Sequence, residues 1–136
     1  MTILEKQAFN RMNYEEAMRY MSNAKEALKK AGKDGQHYYK DRKYVRTACG
    51  TAYNGVLISI DTWLKLKGVE MSKKQRPSIE FYRQELGKLD RKMLTTLNAT
   101  YDTLHLAGYY DGNLDSRIIK IGFDTAYDLI DKIKTN

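Results

Sequence analysis

The chain has 136 residues, enough for one compact core and not for two. Charged residues make up 30% and apolar ones 42%, a balance that excludes both a disordered tail and a membrane-embedded chain. Lys and Arg number 24 against 17 Asp and Glu, a net charge of +7, and the single cysteine, Cys49, leaves no internal disulfide and no multi-cysteine zinc site.

Residues 1–12 read as a short lead-in. The segment Met1-Thr2-Ile3-Leu4-Glu5-Lys6 has no basic region running into an apolar one, so a secretory leader is not expected and the expected compartment is the cytoplasm. A single domain is expected over 13–136. Its first long helix is expected after Asn13, a good N-cap with Glu15 and Glu16 in the first turn. Tyr14, Ala17, Met18, Met21, Ala24, Leu28 and Ala31 recur at three- and four-residue steps and face a core. Gly32 is the expected stop, with a turn through Lys33-Asp34-Gly35.

A second helix is expected from Asp41 to Gly68. Val45, Ala48, Ala52, Val56, Ile60 and Trp63 line one face, flanked by Tyr44, Cys49, Tyr53, Leu57 and Leu64. A face this wide implies more than one neighbouring helix. Gly50 and Gly55 each cost about 1 kcal/mol relative to alanine, which points to another backbone approaching closely. Its most apolar stretch, 56–60, is far short of the roughly 20 residues that span a bilayer, so no membrane contact is expected.

A polar linker over 69–76 leads to a short helix from Pro77 to Leu89. Asp90 can cap a fourth helix carrying Leu94, Leu97, Tyr101, Leu104 and Gly108, ended by a turn at Tyr109-Tyr110-Asp111-Gly112-Asn113. A last helix opens near Asn113 or Asp115 and carries Ile118, Gly122, Ala126, Leu129 and Ile133. The expected fold is all-α, an antiparallel bundle of four main helices plus one short helix, without a sheet.

The charge is uneven. Residues 1–76 carry 16 basic and 8 acidic side chains, and residues 77–136 carry 8 and 9. A basic half favours contact with a polyanion, RNA being the candidate, and the plainer reading is helix faces kept soluble by lysine. The candidate basic patch is Lys40, Arg42, Lys43, Arg46, Lys73, Lys74 and Arg76. Tyrosine is unusually frequent, with 11 copies, and aromatics interleaved with cations can stack single-stranded bases. The plainer use of a tyrosine is a core edge with a wet hydroxyl.

Chemistry-bearing residues are few. Asp102 and His105 stand three apart, as in di-iron bundle motifs, but one such pair falls short of a ligand set, so no metal and no cofactor are expected. Cys49 lies on an apolar face and reads as an inert small hydrophobe. The candidate binding site is Asn98, Tyr101, Asp102, His105, Tyr109 and Asp111, because steps of three and four place these residues on one helical face beside the Tyr-Asp-Gly turn.

The run Asp41-Arg42-Lys43-Tyr44-Val45-Arg46-Thr47-Ala48 and the segment Leu104-His105-Leu106-Ala107-Gly108-Tyr109-Tyr110-Asp111-Gly112, with the order of helices, resemble a small uncharacterised bacterial family of HEPN-like helical bundles, from about residue 13 to the end. The resemblance implies a homodimer. Many such proteins are RNases of toxin–antitoxin or defence systems that use an arginine separated from a following histidine by four to six residues. Ahead of His105 stand Asn98, Ala99 and Thr100, which cannot supply a guanidinium to a phosphate. The expected protein is therefore a non-catalytic homodimeric binding module for RNA or a nucleotide. The alternatives are a residual metal-independent RNase centred on His105, with Asp102 or Tyr109, and an accessory subunit that binds only a partner protein.

Overall fold

The computed structural model describes residues 1–71 and 77–134, so Lys73, Lys74 and Arg76 of the expected basic patch lie outside the described residues. The chain is mainly helical: α1 (Ile3–Ala31), α2 (Arg42–Leu66), α3 (Ile79–Leu89), α4 (Arg91–Thr100) and α5 (Ser116–Lys134). The helix begun by α4 runs on through residues 101–110 as a π-helix, with hydrogen bonds from residue i+5 to residue i. No helix among the described residues is long and apolar enough to cross a membrane.

α1 begins at Ile3, not after Asn13, so the expected lead-in is its first turns. Thr2 caps it: the Glu5 N–H donates to Thr2 Oγ1 at 3.1 Å, and the Thr2 N–H donates to Glu5 Oε1 at 3.0 Å. This reciprocal pair satisfies two donors that a helix start leaves open. On its wet side Glu16 pairs with Arg19 and Glu26 with Lys29, three residues apart.

The segment after α1 is a hairpin and not a simple turn, which corrects the expectation of no sheet. β1 (Lys33–Asp34) pairs antiparallel with β2 (Tyr38–Tyr39), and strands of two residues are too short to show alternation in a sequence. Positive φ at Gly32 and Gly35, 68° and 75°, lets the chain reverse. The hairpin docks on the start of α5: the Tyr39 N–H donates to the Leu114 carbonyl at 2.9 Å, and Ser116 N–H and Oγ both donate to the His37 carbonyl.

α2 is the central helix. It packs against α1, α5 and the π segment, which is why its apolar face is wide. Asp41 caps it through the Lys43 N–H, as expected. Gly55 meets the backbone of α1, where an added Cβ would lie 3.2 Å from the Ala17 carbonyl oxygen. Gly50 departs from the expectation, since its near neighbour is the Tyr109 ring and not a backbone. Ser78, not Pro77, starts α3, its hydroxyl accepting from the Phe81 N–H. Tyr82 of α3 is buried and donates from its hydroxyl to Asp61 Oδ1 of α2 at 2.6 Å. Between α4 and α5 the buried Thr100 hydroxyl donates to Thr125 Oγ1 at 2.8 Å.

Trp63 is 5% exposed in the core that α2 centres. Trp63→Ala should lower the unfolding free energy by about 3–5 kcal/mol, the range for removing a buried large aromatic. Urea unfolding followed by circular dichroism measures it, and an unchanged midpoint would place the ring outside the core.

Candidate functional site: an aromatic cleft

α2, the start of α3 and the π segment enclose a cleft of about 430 Å3. α2 supplies Gly50, Tyr53, Asn54 and Leu57. Pro77, Ile79 and Tyr82 close one side, and Tyr101, His105, Tyr109 and Tyr110 form the other. Five tyrosines and a histidine thus face one space. Tyr53 and Tyr82 are almost fully buried, whereas Tyr109 and Tyr110 form an exposed lip, 46% and 62% accessible.

The rings are ordered around His105. Its imidazole stacks on Tyr101, with centroids 5.0 Å apart and planes at 29°, and on Tyr109, at 5.9 Å and 12°. Tyr53, from α2, lies 4.8 Å from the imidazole between ring centres, and Tyr110 meets the imidazole edge-on at 5.0 Å. Offset and edge-on pairs of this kind are attractive beyond the area they bury. At the far end of the row the Arg83 guanidinium stands 5.1 Å from the Tyr101 ring centre, a cation–π contact.

The π register explains which expected residues meet. A turn closed from i to i+5 is longer than an α turn, so residues four apart come nearly into line and residues three apart separate. Tyr101, His105 and Tyr109 are four apart, and they stack. Asp102 is three from His105, and it is exposed and outside the cleft. This corrects the expectation that Asp102 shares the face of His105. Asn98 stands behind the site, its Oδ1 accepting from Arg83 Nε at 2.9 Å, while Arg83 Nη1 is held by Glu80 at 2.8 Å. Asp111 is exposed at the helix exit and does not line the cleft. The expected turn starts there, because Tyr109 and Tyr110 belong to the helix. Gly50, Tyr53, Tyr82, Tyr110 and Arg83 were not among the expected site residues. Tyr110 could have been found from its place next to Tyr109, but Tyr53 and Tyr82 come from other helices.

The basic patch is only partly free. Lys40 and Lys43 are exposed, Lys43 lying over the Tyr44 ring. Arg42 Nε donates to the Gly112 carbonyl at 3.0 Å, and Arg46 Nη2 donates to the Tyr110 carbonyl at 3.3 Å. No group of three or more His, Cys, Asp or Glu side chains gathers among the described residues.

These features define a small, mainly helical domain with an aromatic cleft beside a helix that changes register. The chain belongs to a family described as a domain of unknown function (DUF5618), whose profile matches residues 12–135. A solved protein of unknown function from Dyadobacter fermentans is similar along nearly its whole length. It is 36% identical, superposes with a TM-score of 0.82, and the match covers 92% of this chain and 96% of that one. No curated protein matches the chain.

Cys49 abuts the cleft wall from behind and is fully buried. Burial pushes its thiol up to about 12, so the reactive thiolate is scarce at neutral pH. Iodoacetamide at pH 8 should label Cys49 slowly in the folded chain and quickly in denaturant. Mass spectrometry reads the difference, and rapid labelling of the folded chain would contradict this burial.

Proposed function

We propose that this protein is a non-catalytic, homodimeric binding module with a HEPN-like antiparallel bundle, and that its cleft takes an unstacked base of single-stranded RNA. The observation that carries this reading is the row of Tyr101, His105 and Tyr109 rings with the exposed lip of Tyr109 and Tyr110. A base laid on such a ring contributes about 1–3 kcal/mol with little dependence on sequence. Exposed Lys40, just ahead of α2, and Lys43 in its first turn add charge for the phosphate backbone.

The bundle reading takes α1, α2, α5 and α4 with its π extension as the four main helices and α3 as the short one. Short connections at 32–41 and 111–115 support it, since they keep sequential helices adjacent. The homodimer reading is supported by Ile3, Leu4 and Met12, large apolar side chains exposed near the start of α1. The non-catalytic reading rests on the sequence ahead of His105, where Asn98, Ala99 and Thr100 carry no guanidinium to stabilise charge on a phosphorus centre.

Fluorescence anisotropy with a labelled oligouridylate tests the ligand. The chain should bind it, more weakly as salt rises, and Tyr109→Ala should weaken binding about tenfold, in the range of one lost stacking contact. The oligonucleotide should remain intact. Equal binding by Tyr109→Ala would remove the cleft from the account, and cleavage abolished by His105→Ala would establish the RNase alternative. Light scattering at micromolar concentration should give a dimer mass, and a monomer mass would contradict the dimeric reading.

A further inference from the structure

Arg42, Arg46 and Gly50 stand four residues apart on one face of α2. They meet, in the same order, Gly112, Tyr110 and Tyr109 at the exit of the π segment. A helix end leaves its last carbonyls without partners inside the helix, and its partial charge is negative. The Arg46 guanidinium answers both needs at the Tyr110 carbonyl, and the Arg42 guanidinium holds the turn just beyond the helix at the Gly112 carbonyl. The fit is close. Gly112 has φ 61°, and a Cβ there would lie 2.6 Å from Arg42 Cδ and 2.8 Å from Arg46 Nε. One turn further along α2, Gly50 leaves room for the Tyr109 ring, which a Cβ would meet at 2.9 Å.

The register at this exit decides where the lip of the cleft points. The Asp111 N–H donates to the Leu106 carbonyl, five residues back, at 3.0 Å. If residues 101–110 wound as an α-helix, each four-residue step would turn by about 40°, so Tyr109 would stand about 80° from Tyr101. The three rings would then fan out around the helix. Register and ring row are therefore one property, and the contacts that hold the end of the segment hold the row.

We infer that Arg42 and Arg46 are positioning residues for the cleft: they hold residues 101–110 in the i to i+5 register through the Gly112 and Tyr110 carbonyls, and so align Tyr109 with His105 and Tyr101. This rests on the aromatic cleft being the ligand site, and it gives two residues of the basic patch a role other than phosphate contact. Arg42 and Arg46 hold the exit from outside the helix, and Gly50 seats the outermost ring. Loss of both guanidinium groups leaves the longer register without its end contacts, and the commoner α register replaces it.

The test uses the full chain with Arg42→Gln, Arg46→Gln and the double substitution. Proton NMR of the His105 ring reads the stack without any ligand, because imidazole protons held over tyrosine faces are shifted upfield. The double variant should stay helical by circular dichroism, lose that shift, and bind oligouridylate about tenfold more weakly, as for a lost stacking ring. Its dependence of log affinity on log salt should match the parent. If the double variant fails to fold, the same readouts are taken on Arg46→Gln alone, which should show a smaller loss of the shift. Unchanged His105 resonances would overturn the inference. So would a salt slope shallower by about 0.7 for each arginine removed, the signature of direct phosphate contact with a single strand. Loss of the His105 shift in a chain whose parent binds no oligouridylate would uphold the positioning role and overturn the RNA reading.

Discussion

The helix that begins at Arg91 changes its hydrogen-bond register at Tyr101, and the cleft depends on that change. An α-helix and a π-helix can follow one another on a common path, but they distribute the same side chains differently around it. In the first ten residues, Met93, Leu97 and Thr100 follow α spacing and are buried. In the next ten, Leu104 and Gly108 point to the core while Tyr101, His105 and Tyr109 form a row on the cleft side. The first half is packing, and the second half carries a surface.

A long π segment is rare because its hydrogen bonds close less favourably than those of an α-helix, so neighbouring elements must stabilise it. Three sets of contacts do so. At the entrance, the Thr103 hydroxyl donates to the Ala99 carbonyl at 2.7 Å and to the Thr100 carbonyl at 3.3 Å, adding a partner where the backbone pattern lengthens. In the middle, glycines let neighbours come close. A Cβ at Gly108 would lie 2.7 Å from Cys49 Cβ, and one at Gly122 of α5 would lie 2.8 Å from Leu104 Cγ. At the exit, α2 contributes the two arginines. The segment is thus held from α2 on one side and α5 on the other.

Much of this was legible in the sequence. α2 announces itself through the Asp41 cap, a wide apolar face and the Gly68 stop, and its predicted core positions from Val45 to Trp63 are buried. The three residues of the row were also legible, because steps of four keep residues on one broad face of an α-helix, although only the longer register brings their rings into line. The register itself was not, because a stretch such as Leu104-His105-Leu106-Ala107-Gly108 satisfies α periodicity equally well, and that is why Asp102 was misplaced. The start of α1 was readable in Thr2-Ile3-Leu4-Glu5, a capping box, but the polar turns that follow hide it behind the stronger Asn13 signal. The arginines of α2 look like a patch for a polyanion because charge is visible in a sequence, whereas a carbonyl 64 or 70 residues away is not.

The central claim is the register of residues 101–110, and scalar couplings transmitted through backbone hydrogen bonds measure it directly. In the labelled chain the Asp111 amide nitrogen should couple to the carbonyl carbon of Leu106, five residues earlier. A coupling from Asp111 to Ala107 instead, the α partner four residues earlier, would show an ordinary helix there and would contradict the account of how the cleft is built.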